Sequence, residues 1–293
     1  MIYNDLVNLG LCTFPKELKS NVHYETMMGS VAYGASTDKS DLDVYAWYIP
    51  PKEQIFPHLG GHIYGLGPKP QYVDQFQSHH IAGHPKYPEI DYTCYSITNY
   101  FHLCAGCNPN MLDSLFAPQH CVMHCTVLAK HVRDNKEVFL CKKAYHTFTG
   151  YAYAQRNSLL SKNPVGKRKE TIEKYGYDVK LMSHAVRLIL ECQDILEKST
   201  IEIGQHGELL KFIKTGGWSL DAFNAFFEEK EKHLLKLYSQ SKLRHDVDWP
   251  AVKTLFLECI EMHYGSISTT IKVDSDIDTL LKRLENIVSE YRK

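Results

Sequence analysis

Net charge is almost absent from the sequence: 33 Lys and Arg stand against 34 Asp and Glu, for a formal charge of -1. That balance excludes a global field drawing the chain to nucleic acid or an anionic membrane, so any polyanion site has to be local. Long apolar runs are missing too, none approaching the roughly 18 residues that a membrane-spanning helix needs. The first twenty residues show no basic leader ahead of an apolar stretch. Nine cysteines, at 12, 94, 104, 107, 121, 125, 141, 192 and 259, are odd in number and scattered, without the density of a secreted disulfide framework. Reduced thiols, a cytoplasmic setting and no membrane contact are the expectation. Internal repeats and low-complexity tracts are lacking as well, which excludes solenoids. What remains is 44% hydrophobic and 23% charged over 293 residues, a globular composition long enough for two domains.

The two halves differ in pattern. Residues 22 to 28, 42 to 49 and 89 to 97 are rich in β-branched and aromatic side chains and predict strands. Pro50 and Pro51 stop the second strand. The stretch from 52 to 88, punctuated by Gly60, Gly61, Gly65, Gly67 and several prolines, predicts a long loop or insertion. Helices follow from Thr98 and from Asn108-Pro109, each with a capping residue at its start. Beyond about residue 125 amphipathic helices dominate, near 136–162, 177–198, 205–214, 219–240, 250–264 and 275–292. An α+β chain is expected, with a mixed α/β domain over 1–125 and an α-helical domain over 126–293.

The segment "MMGSVAYGASTDKSDLDVYAWYIPP", residues 27 to 51, carries the chemistry. Side chains alternate along a strand, so Asp41 and Asp43 share one face while Leu42 and Val44 take the packed one. Asp91, between two apolar neighbours on the third predicted strand, adds a further acid facing away from the core. Carboxylates so close repel, and one protonates unless a cation lies between them. Mg²⁺ suits that position because it prefers hard oxygen ligands from one or two carboxylates together with substrate phosphates. Asp41, Asp43 and Asp91 are therefore the expected ligands of two ions. Gly29 and Ser30, in a turn entering a helix, permit close backbone approach and present amides to a phosphate. Asp91 is the residue expected to assist removal of an acceptor hydroxyl's proton. The plain alternative is a solvated turn entering a strand, with Asp41 as a local cap.

Gly-Ser, about ten residues, Asp-x-Asp and a later strand-borne acid together resemble the nucleotidyltransferases of the DNA polymerase β superfamily. The string "GSVAYGASTDKSDLDVYAWYIPP" is most similar to the bacterial and phage branch associated with RNA ligases and RNA repair. Segments such as "NPNMLDSLFAP", "GYAYAQ" and "YGYDVKLMSHAVRL" extend the likeness to about residue 190, apart from the loop at 52–88. Val31 stands where that family often has Arg. The resemblance implies a small mixed-sheet catalytic domain followed by a helical domain. It also implies transfer of NMP from an NTP, with ATP the expected donor and Mg²⁺ (or Mn²⁺) the cofactor, to an acceptor such as an RNA end. A small molecule, a protein hydroxyl, or nucleotide binding without turnover stay open as alternatives.

In the helical half, Lys180, His184, Arg187 and Glu191 fall on one helix face. Superfamily members with a helical domain reach a cation across the cleft to the triphosphate; Lys180 is the first candidate, with His184 and Arg187 next. The basic connection with Lys162, Lys167, Arg168, Lys169 and Lys174 is a candidate RNA contact or simply a solvated loop. Tyr151, Tyr153 and Arg156 could stack a base or pack in a core. Cys104, Cys107, Cys121 and Cys125, with His120 and His124 interleaved, have spacing within reach of zinc. The histidines His79, His80 and His84 are either exposed loop residues or ligands of a metal or polyphosphate.

Overall fold

The computed structural model describes residues 1–19, 21–36, 40–63, 65–67, 72–160 and 167–266, with Leu284 and Val288, and excepting the side chains of Lys167 and Arg168. The helix expected over 275–292 lies outside the described residues apart from those two positions, as does Lys162.

Five strands, β1 (Val22–Met27), β2 (Leu42–Tyr48), β3 (Gln75–Ala82), β4 (Glu89–Ser96) and β5 (Val122–Cys125), form one mixed sheet in the order β3-β4-β2-β1-β5. β2 and β4 run parallel, and the other pairs are antiparallel. Alternation then assigns the faces. Leu42, Val44, Ala46 and Tyr48 pack with Ile90, Tyr92 and Cys94 and with Ile2, Tyr3 and Leu6 of α1 (Ile2–Asn8). The intervening residues Asp43, Tyr45 and Trp47 consequently face the other layer, where the helices lie. Trp47, at the far end, is buried in the main core; Asp43, at the near end, is only half-buried.

The remaining helices are α2 (Gly29–Ala32), α3 (Lys52–Ile55), α4 (Ile97–Ala105), α5 (Pro109–Phe116), α6 (Val127–Asp134), α7 (Lys143–Asn157), α8 (Lys167–Tyr175), α9 (Val179–Lys198), α10 (Gly207–Lys214), α11 (Leu220–Gln240) and α12 (Trp249–Tyr264). α9 is the hub: α7, α10 and α11 pack around it, so its apolar positions extend nearly all round, from Val179 and Met182 to Ile189 and Ile195. Tyr24, Trp47 and Phe101 share one core with Phe148, Ile189 and Phe227, so the apolar interior runs without a break from the sheet into the helices. No helix among the described residues is long and apolar enough to cross a membrane.

The α+β architecture expected from the sequence is present, with three local corrections. The segment 52–88 is not all loop, because it contains β3. That edge strand offers the core little beyond Phe76 and Ile81, too sparse an alternation to stand out between glycines and prolines. β5 is four residues long, too short for a periodic signal. α8 falls inside the expected basic connection; its sequence "KRKETIEKY" lacks an apolar stripe, the feature by which a surface helix is usually read.

Candidate active site

The site begins where β1 ends. Met28 is extended, and its N–H donates to the Asp43 carbonyl at 2.8 Å, after which Gly29 turns the chain with a φ of 61°. A Cβ added to Gly29 would lie 1.8 Å from Asp43 Oδ2. Only glycine admits both that backbone and that carboxylate. Asp41 precedes β2 by one residue. Asp91 on β4 is the register partner of Asp43, on strands that lie about 4.8 Å apart when paired.

The opposite wall is α9, which starts at Asp178 because its carboxylate accepts from the Lys180 and Leu181 N–H groups. Lys180, His184 and Arg187 then recur at helical spacing. Gly29, Ser30, Asp41, Asp43, Asp91, Lys180, His184 and Arg187, all eight residues expected from the sequence, line a single cavity of about 620 Å³. Lys214, in the last turn of α10, joins them there. Nothing in "LLKFIKTGG" distinguishes Lys214 from a surface lysine; only the docking of α10 brings it to Lys180.

Charge is divided between the walls. Burial, and next the Asp91 carboxylate, raise the pKa of Asp43, while Lys180 opposes the shift. Burial, with Arg187, Lys180 and Lys214 adding to it, pushes the His184 imidazole down to about 3, which makes it a neutral group at ordinary pH. Burial and then Lys180 and Arg187 also lower the Lys214 pKa. Lys180 itself is exposed at the mouth.

Arg187, expected on the phosphate side, is engaged elsewhere. Its Nη1 pairs with Asp113 and with Glu191, the latter at 2.9 Å, and its guanidinium lies 4.1 Å from the Tyr33 ring centroid. Tyr33 in turn donates to Asp113 Oδ2 at 2.7 Å. Burial disfavours the Arg187 cation, but Glu191, Tyr33 and Asp113 outweigh it and raise its pKa. Burial raises the Glu191 and Asp113 carboxyls despite Arg187. Arg187 therefore ties α9 to α5 and to the turn after α2, and its charge is spent inside the wall.

Other expectations separate in the same way. Tyr151 and Gln155 face the cavity, whereas the Tyr153 hydroxyl donates to Glu231 and Arg156 donates to Asn224 at 3.0 Å. The four cysteines with zinc-like spacing do not gather. Cys104, Cys107 and Cys121 are buried and Cys125 is exposed, and the Cys107 sulfur lies 3.5 Å from Cys141 instead. Burial of Cys104 in α4 and of Cys107 in the turn that follows it sets them apart from exposed Cys125 on β5.

The donor set fits a hard divalent cation: Asp41, Asp43 and Asp91 line one cleft, and Asp43 carries a raised pKa that a neighbouring cation would relieve. The three do not bring one oxygen each to within 4.8 Å; among the described residues the metal-capable group that does so is His80, Glu89 and Asp91. Asp91 Oδ1 accepts from the His80 N–H at 2.8 Å, a contact hidden in the sequence because His80 reads there as part of a loop.

The family model described as RlaP, RNA repair pathway DNA polymerase beta family, matches residues 4–256. The chain belongs to this family. The match extends past the segments that carry motifs and takes in α10, α11 and the first half of α12. No curated protein matches the chain. Membership makes this a polymerase β-like protein of an RNA repair family.

Proposed function

We infer that the chain is a nucleotidyltransferase that moves NMP from an NTP, ATP being the expected donor, to an acceptor hydroxyl at an RNA end and releases pyrophosphate. The observation that carries this reading is the division of the cleft: three aspartates on the sheet side oppose Lys180 and Lys214 on the helical side, with Gly29 pressed against Asp43 between them.

Asp41, Asp43 and Asp91 would hold two Mg²⁺ ions, with Mn²⁺ as the alternative. When bound, such ions lower the pKa of a hydroxyl nucleophile and stabilise the charge of leaving pyrophosphate. The residues of this chain do the rest. Gly29 and Ser30 present backbone amides to the triphosphate. Lys180 and Lys214 supply positive charge across from the acids, and neutral His184 offers a hydrogen bond without further charge. Asp91, at the open end next to β3, accepts the acceptor's proton. Arg187 holds the wall in place, so its contribution to phosphate binding is positional.

The test is incubation with each α-labelled NTP, Mg²⁺ and a set of RNA oligonucleotides, with Asp43→Asn and chelated metal as controls. Label on RNA that depends on Asp43 and on Mg²⁺ supports the reading. Label on protein or on a small molecule keeps the transfer chemistry and replaces the acceptor. Binding of NTP with no transfer to any acceptor removes the proposed activity.

A further inference from the structure

Along a regular strand, neighbouring side chains point to opposite faces, so His79 and His80 should not both reach the same residue of β4. The ladder is irregular at this point. Ser78 pairs with Tyr92 and Ile81 with Ile90, with the register shifting between them, so two histidines stand opposite the single residue Asp91. His80 takes a φ of 57°, a left-handed conformation unfavourable for a residue that carries a side chain. The bulge re-aims both rings toward β4. His79 Nδ1 lies 3.5 Å from Asp91 Oδ2, and His80 Nδ1 lies 2.5 Å from Glu89 Oε1. Glu89 and Asp91, two apart on β4, share a face. One donor atom each from His80, Glu89 and Asp91 falls within 4.8 Å of the others.

Imidazole with carboxylates is a donor set for a borderline d-block cation rather than for Mg²⁺ or Ca²⁺. Tetrahedral Zn²⁺ sets its donor atoms roughly 3.3 Å apart, from bond lengths near 2.0–2.1 Å, so His80, Glu89 and Asp91 would draw together on binding, and His79, which meets the cluster through Asp91, would turn in as the fourth donor. We propose that His79, His80, Glu89 and Asp91 form a Zn²⁺-class binding site on the β3-β4 edge, separate from the Mg²⁺ positions but sharing Asp91 with them. The site acts on the chemistry through that shared carboxylate. An oxygen given to Zn²⁺ on the edge is not given to the cleft, so Zn²⁺ opposes Mg²⁺-supported transfer. This second half rests on the proposed function; the binding half does not.

The experiment titrates Zn²⁺ into the full chain in excess Mg²⁺ with thiols reduced, by calorimetry, with Co²⁺ absorption as a spectroscopic probe. His80→Asn removes the imidazole while tolerating the left-handed backbone, and Glu89→Gln keeps the side-chain shape; circular dichroism checks that each is folded. Expected is one Zn²⁺ per chain, weakened in both variants by at least the roughly 10-fold that even an outer-shell partner is worth. Co²⁺ should show ligand-field bands without a thiolate charge-transfer band. Unchanged affinity in both folded variants, or a thiolate band that places the metal on cysteines, overturns the site. Zn²⁺ binding that His80→Asn abolishes, alongside Zn²⁺ inhibition that it leaves intact, overturns the coupling through Asp91. Binding in a chain that transfers nothing to any acceptor would leave the site standing and remove the functional reading alone.

Discussion

Gly29 lies so close to the Asp43 carboxylate that no side chain can come between them: the space for a Cβ ends 1.8 Å from Oδ2. The same glycine holds a φ of 61°, so position and conformation make one demand. Gly29→Ala is expected to push Asp43 aside. A misplacement of about 1 Å in a catalytic group costs on the order of 10²-fold in rate, so NMP transfer should fall by that factor while the far-ultraviolet dichroism stays native. Full activity in Gly29→Ala would mean that the carboxylate has no fixed role.

Lys214 was invisible as a site residue and gives a test of the cleft's cationic wall. A charged hydrogen bond contributes about 1.5–3 kcal/mol, roughly 10- to 100-fold in affinity, so Lys214→Ala should raise KM for NTP within that range and change kcat little. Burial holds the Lys214 pKa below its ordinary value. The ammonium is charged below its own pKa and loses charge as pH rises through it, so NTP affinity should begin to fall at a lower alkaline pH than for a free lysine. Lys214→Arg should remove that fall, as steady-state kinetics across the alkaline range would reveal.

The Arg187 ion pairs predict a structural phenotype. Removing one partner of a buried pair leaves an uncompensated charge at a cost of about 3–5 kcal/mol, and Arg187 faces both Asp113 and Glu191. Arg187→Met should lower the urea midpoint by a matching amount, and adding Asp113→Asn should recover part of it. A stable Arg187→Met protein with only a raised KM would place the guanidinium on phosphate after all.

Glu25 predicts a pH dependence of stability. Its Oε1 accepts from the Tyr3 N–H and the Tyr92 hydroxyl, both at 2.9 Å, while buried Oε2 has no hydrogen-bond partner among the described residues. Burial raises its pKa, partly offset by those hydrogen bonds. The folded state therefore holds the proton more tightly than the unfolded chain. The resulting stabilisation is complete below the unfolded carboxyl pKa and is lost as pH rises through the folded one. Glu25→Gln cannot ionise, so its melting temperature should gain on the wild type as pH rises from acid to neutral. Parallel melting curves at every pH would show that folding does not shift the Glu25 pKa.

The part of the site legible in the sequence is the part written with a local period. Asp41 and Asp43 could be assigned a common face because strands alternate every residue, and Lys180, His184 and Arg187 because helices return every three to four. Gly29-Ser30 was legible because a glycine between a strand and a short helix has few other uses. β3 and the paired histidines were not, since a bulge breaks the alternation that a reader relies on.

By itself the sequence determined strands β1, β2 and β4 and the long helices α9 and α11, and which of their faces would carry acids and cations, because those properties depend on neighbours within a turn or two of backbone. Tertiary packing alone decided that Lys214 joins Lys180, that Arg187 is consumed by Asp113, and that Asp91 is shared between the cleft and the His79-His80 edge. Each of those outcomes depends on partners at least eleven residues apart, brought together when α10 packs on α9, α9 meets α5 and β3 pairs with β4, and no local periodicity encodes a distance of that kind.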